Sequence, residues 1–344
     1  MPQELPQRKK TALPDKSVFS WTNVGISVGG GLASAAVFAV LTRGTLPALL
    51  LAHFAPLPLI IVALGFGLRH GATSALIATG LLSAWPHPQF GFAYAVLVAT
   101  PAMLACWTVI GAPWRGRDLL SSQLPSWATI AAGAVLALSV SAILAAAAAI
   151  NGSLDEALNP LQARAYMVLE RMISSQELTP EVKERLDVKQ ISRAIALAFP
   201  AMLAGYALLI QTLNLWGGGR LTQISGRLGR PWPDIASEYT LPRAVNAVFF
   251  VGLALTFFDG LAGAIGLVLA LTSGLLLAFQ GLAVTHVTLR GSRLSAVALT
   301  LVYLILGLVG WPIVIFTFLG VADGVFSFRA RKAQRDKING QGAA

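Results

Sequence analysis

Apolar residues fill this chain in long runs, and the polar positions gather between the runs rather than alternating with them. A run of roughly 17–25 apolar residues is the length that carries an α-helix across a bilayer. Such runs recur from Trp21 to Phe326, punctuated at Arg43, at Arg69 and His70, at Arg115 and Arg117, and at Arg290 and Arg293. The pattern predicts an all-α, polytopic membrane helix bundle of about ten transmembrane helices. A single membrane domain over 21–326 would lie between basic tails at 1–20 and 327–344.

Two longer polar segments interrupt the pattern. Residues 151–190 hold seven acids and five bases, and Leu158, Leu161, Ala165, Val168 and Met172 recur at the three- and four-residue spacing of an amphipathic helix. Thr179 followed by Pro180 reads as the cap and first residue of a second helix, one able to run on into the sixth span. The segment predicts an extramembrane two-helix cap on the membrane surface between spans five and six. The second segment, 216–243, is rich in Gly, Arg and Pro and reads as a loop after a sixth span that ends near Trp216. The last apolar stretch, 294–326, is too long for one helix, and its break at Gly310, Trp311 and Pro312 predicts two short spans.

The stretch 46–84 breaks the rule for an ordinary span. Pro56 and Pro58 each remove a backbone donor, and Gly65, Gly67 and Gly71 follow closely. Backbone freed at membrane depth is tolerated where protein buries it or where it lines a cavity. A substrate pocket is therefore expected around His53, Pro56, Pro58, Gly65, Gly67 and Gly71, with Gln280 and His286 from a later span. A kinked span that packs tightly and binds nothing fits the same residues. In the first span Gly31, Ala35 and Ala39 form a stripe of small residues at helical spacing, which suits close approach of another helix of this chain or of a separate subunit.

Composition agrees with the pattern: 56% of residues are hydrophobic and 12% charged. The net charge of +10 sits in short groups beside spans, so it reads as an orientation signal and not as a nucleic-acid surface. With the amino terminus inside, both tails and the 216–243 loop fall on the cytoplasmic side, Arg43 is the exception, and the acid-rich cap lies opposite. The first twenty residues lack the apolar core of a cleavable signal. One cysteine, Cys106, excludes an intrachain disulfide, and the scattered histidines His53, His70, His87 and His286 offer no metal-binding spacing. No nucleophile elbow or phosphate loop occurs, so neither a metal, a cofactor nor catalysis is expected. Asp259 and Asp323 sit near span ends, where Asp323 can pair with Arg329 or Arg331.

Several dispersed motifs carry a resemblance. APLPLIIVALGFGLRHGA, the polar cap, Leu213-Asn214-Leu215, the Arg-Pro-Trp-Pro and Leu-Pro-Arg loop, FQGLAVTH and GVADGVFSFRARK together resemble the uncharacterised bacterial membrane family catalogued as domain of unknown function 2232. The resemblance spans about residues 20–332 and implies a bacterial inner-membrane location without implying an activity. More distantly, the first 85 residues are similar to the substrate-binding subunits of energy-coupling-factor transporters, where small residues on the first helix contact a coupling subunit. That role would map onto Gly31, Ala35 and Ala39, although those subunits are usually smaller and lack the cap. The expected function is substrate binding or transport of an unidentified small molecule in a lipid bilayer, with another membrane subunit or a second copy as a partner. A non-catalytic membrane scaffold for cell-envelope partners is the alternative.

Overall fold

Every regular element among the described residues is helical. The computed structural model describes residues 21–110, 124–176, 186–228, 232–329 and 331. The 1–20 tail, Arg115 and Arg117, the Thr179-Pro180 helix start and all but a few residues of the 327–344 tail lie outside the described residues.

The chain opens with α1 (Trp21–Ala39), then α2 (Leu46–Ala52) and α3 (Pro56–Phe66) in one broken pass. Pro56 and Pro58 fall in the first turn of α3, where missing donors cost least, and the break sits just before them at 53–55. Next come α4 (Leu68–Ala84), α5 (Pro88–Tyr94) and α6 (Thr100–Ile110), with a π-helical turn at Ala95–Ala99 joining the last two. Pro101 has no N–H to offer the Leu97 carbonyl four residues earlier, and the turn widens there. The second half holds α7 (Leu124–Asn151), α8 (Leu154–Ser174), α9 (Val188–Ile224), α10 (Ile235–Glu238), α11 (Arg243–Leu255), α12 (Gly260–Leu289), α13 (Ser295–Val309) and α14 (Ile313–Phe326). Six helical stretches are long and apolar enough to cross a membrane: Trp21–Arg43, Leu46–Phe66, Pro88–Ile110, Ser126–Asn151, Val188–Ile224 and Gly260–Leu289. The apolar helices α11, α13 and α14 are shorter.

α12 is the most buried of the spans and packs against α7, α9, α11 and α14. Glycine makes the contact with α14 possible: a Cβ on Gly320 would meet the Leu277 carbonyl oxygen at 1.9 Å, and one on Gly281 would meet that of Phe316 at 2.0 Å. Backbones this close are how membrane helices gain packing enthalpy where lipid supplies no hydrophobic drive.

One expectation needs correcting. The loop expected from 216 begins only at Ser225, because α9 continues through Gly217, Gly218 and Gly219. Glycine is a poor helix former in isolation, but here Ile60 and the Trp232 ring lie on bare backbone, and Cβ atoms on Gly218 and Gly219 would meet them at 2.6 and 2.3 Å. The cap takes in the start of a span. α9 has 37 residues, about 55 Å, far more than a hydrocarbon core of about 30 Å. Its first turns run antiparallel to α8, pairing Arg193 with Asp155 near the base and bringing 187–190 beside Gln162 further out. The two helices pack as a hairpin, and only Leu154 and Leu158 of α8 are buried.

Candidate functional site

The proline break is closed by polar side chains from neighbouring helices. The His53 carbonyl accepts from Asn214 Nδ2 at 2.8 Å, and the Ala55 carbonyl accepts from Ser34 Oγ at 2.5 Å, where Ser34 also meets the Tyr94 hydroxyl. One turn before Asn214 on α9, Gln211 Nε2 donates to the Leu97 and Val98 carbonyls of the π turn at 3.1 and 2.9 Å. Two amides spaced three apart thus repair two proline breaks in other helices. Each leaves its own oxygen, Gln211 Oε1 and Asn214 Oδ1, buried without a protein donor. Pro56 is wholly buried, and His53 is held through its ring to Tyr206 and to the Leu49 carbonyl. A Cβ on Gly71 would meet Ala63 Cβ at 2.5 Å, Gly65 lies against Thr222 and Arg227, and Gly67 takes φ 107°, which only glycine adopts readily. Gly31 and Ala35 are buried in the α1–α4 contact, where a Cβ on Gly31 would meet the Ser74 carbonyl oxygen at 2.8 Å, and Ala39 is half-buried.

Gln280 and His286 are engaged at the far end of α12. Gln280 Nε2 donates to Asp323 Oδ2 at 2.9 Å while its own oxygen accepts from Leu241 N at 3.0 Å. Asp323 also accepts from Arg329 Nη2 at 2.8 Å and Nε at 3.1 Å, so the partner is Arg329 and not Arg331. Ser327, in a left-handed conformation at φ 53°, folds the chain back so that Arg329 reaches both Asp323 and the Ala236 carbonyl. Tyr239 is buried beside them, its hydroxyl 2.9 Å from Thr129 Oγ1, and burial pushes its phenol well above the usual range. Arg290 grips Asp234 through two hydrogen bonds and holds its carboxyl below the usual carboxylate range. Residues 232–242 are therefore pinned into this end of the bundle, while His286 bonds Tyr303.

A further site lies at the opposite end of α12. A cavity of about 940 Å³ opens between the hairpin and the α11–α12 turn. Its hairpin wall carries Asp155, Gln162, Gln190 and Arg193, and its bundle wall carries Leu197, Phe258, Asp259, Gly263 and Leu267. Arg193 Nη2 donates to Asp155 Oδ2 at 2.8 Å across the hairpin, with both side chains more than half exposed. Asp259 precedes α12, makes no side-chain cap, and pairs with no other described side chain. A Cβ on Gly263 would meet the Phe258 carbonyl oxygen at 2.1 Å, so glycine there lets the turn close tightly against the helix. None of the eight residues expected to form a pocket lines this cavity, but Asp259 does.

Sequence reasoning passed over Arg193, Gln162 and Gln190. A signal was present: Asp155 and Gln162 are two turns apart on α8, and Gln190 and Arg193 are three apart on α9, so each pair shares one face. What the sequence does not give is that the two faces meet. Among the described residues no group of three His, Cys, Asp or Glu side chains is placed to hold a metal ion.

Multiple long apolar helices, packed by glycine and broken at proline, define a multi-pass membrane protein. The family model of predicted membrane proteins DUF2232 matches residues 34–324, and the chain belongs to that family. No curated protein and no solved structure matches it.

Proposed function

We propose that this chain is a non-catalytic, substrate-binding membrane protein of transport-like type, and that its ligand enters the cavity beneath the α8–α9 hairpin. The single observation that carries the reading is that cavity, a half-open space with both charges and an apolar wall. Pockets of this kind are the default binding sites of proteins. The pocket expected around Pro56 is the weaker candidate, because side chains already close the freed carbonyls. In this reading the chain crosses the bacterial inner membrane ten times: α2 and α3 make one pass, α5 and α6 another, and α4, α11, α13 and α14 join the long spans. Lysine and arginine bias places both termini and the 225–243 loop in the cytoplasm and the hairpin outside.

The scaffold alternative draws on the outer half of α8, where Tyr166, Val168 and Met172 are exposed. Retention of small molecules separates the two. Protein purified from detergent extract is incubated with aqueous and organic cell extracts, washed, and analysed by mass spectrometry beside Ala194→Trp, which fills the cavity from an exposed lining position. A compound retained by the native chain and lost from the variant is expected. Equal retention by both, or none, contradicts the reading.

A further inference from the structure

The two walls of the cavity differ in chemistry in a way that selects for shape and charge. Asp155, Gln162, Gln190 and Arg193 make a polar wall on the hairpin, and Leu154, Leu158, Leu197, Phe258 and Leu267 make an apolar wall to which the hairpin and the bundle both contribute. The apolar wall does not stop at the cavity: Leu197 is 39% exposed, Phe258 62%, and the adjoining Phe257 87%. Leu197 lies on α9, and Phe257 and Phe258 lie just before α12, two helices long and apolar enough to cross a membrane. An aqueous binding site would be rimmed by polar groups alone, whereas this one adjoins exposed apolar surface of the kind that faces lipid.

The fixed charges narrow the head group. Arg193 supplies one cation and Asp155 with Asp259 two anions, and a smaller adjoining space of about 230 Å³ brings in Lys189 and Asp187. Asp155 is already matched by Arg193, which retains guanidinium donors beyond the one it gives that carboxylate. Asp259 has no ion-pair partner among the described residues, and neither does Lys189 in the smaller space. A ligand with an anionic centre near Arg193 and an ammonium near Asp259 would complement both, and an anionic head alone would leave Asp259 facing like charge.

We infer that the cavity receives a bilayer-borne amphiphile with a zwitterionic, amine-bearing head, of the phosphatidylethanolamine type. Its phosphate lies toward Arg193, its ammonium toward Asp259, and its chains run along Leu197, Phe258 and Leu267 into the surrounding lipid. This rests on the substrate-binding reading above and names the ligand class for the same cavity.

Thermal unfolding of delipidated protein in a maltoside detergent tests it with three probes: dilauroyl phosphatidylethanolamine, dilauroyl phosphatidylglycerol, and tail-less glycerophosphoethanolamine. Near-saturating phosphatidylethanolamine should raise Tm by about 5 °C over phosphatidylglycerol. Asp259→Asn, close in shape and with no cap to lose, should erase the difference between the two lipids, and Arg193→Gln should weaken both. Equal shifts from the two lipids, or a preference that survives Asp259→Asn, would overturn the inference. A full shift from the tail-less probe would also overturn it, because the ligand would then be a soluble zwitterion. In that last case a compound lost from Ala194→Trp in the retention experiment still upholds the broader reading, so the two can fail separately.

Discussion

Asp323 and Arg329 show how much one residue pair can hold. Their side chains are 4% and 7% exposed, and the carboxylate is also fed by Gln280, so the charges are paired and hydrogen-bonded rather than merely close. A buried pair of this kind contributes little net stability against an apolar replacement, yet breaking it strands a charge. Asp323→Leu should therefore cost about 3–5 kcal/mol in detergent unfolding, and adding Arg329→Met should restore most of the loss. If the double variant is as unstable as the single one, the pair does more than compensate for its own burial. That Asp323 had a partner was legible in the sequence, because two arginines follow within reach. That Gln280 and the Leu241 amide complete the set was not, since they come from two other elements.

Among the elements, the breaks that proline dictates were legible and the contacts that close them were not. The interruptions at 53–55 and 310–312 stand where Pro56 and Pro312 require them. The π turn follows from Pro101 by the same rule, but inside an unbroken apolar run nothing marks how the chain will absorb the missing donor. Gln211 and Asn214 are polar residues inside an apolar run, and their role depends on the π turn and the start of α3 lying beside α9. Gly217, Gly218 and Gly219 misled in the other direction: local propensity says loop, and tertiary packing of Ile60 and Trp232 overrides it. If Trp232 docking on that glycine face pins the 232–242 segment, Gly219→Leu should expel the ring and raise the rate of tryptic cleavage in the loop on the order of tenfold. An unchanged rate would mean that the bonds from Gln280, Arg290 and Arg329 hold the segment alone.

On the scale of the whole molecule, one bundle carries two unlike ends. At one end of α12 the 232–242 segment is pinned by Arg290, Arg329 and Gln280, and at the other the hairpin leaves a charged and apolar cavity open. Ligand binding from outside requires those ends to lie on opposite sides of the membrane, with the cavity facing out. The distribution of basic residues is the sequence signal for such an arrangement, whereas the cavity itself depends on the α8–α9 hairpin packing beside the α11–α12 turn, a contact between parts of the chain well separated in sequence. Labelling in spheroplasts, starting from Cys106→Ala, puts this to the most direct test. Ala194→Cys, on the cavity wall, should react with a membrane-impermeant maleimide in intact spheroplasts, and Ser237→Cys, exposed in the pinned segment, should react only after lysis. Labelling of Ser237→Cys from outside, with Ala194→Cys silent until lysis, would contradict the account.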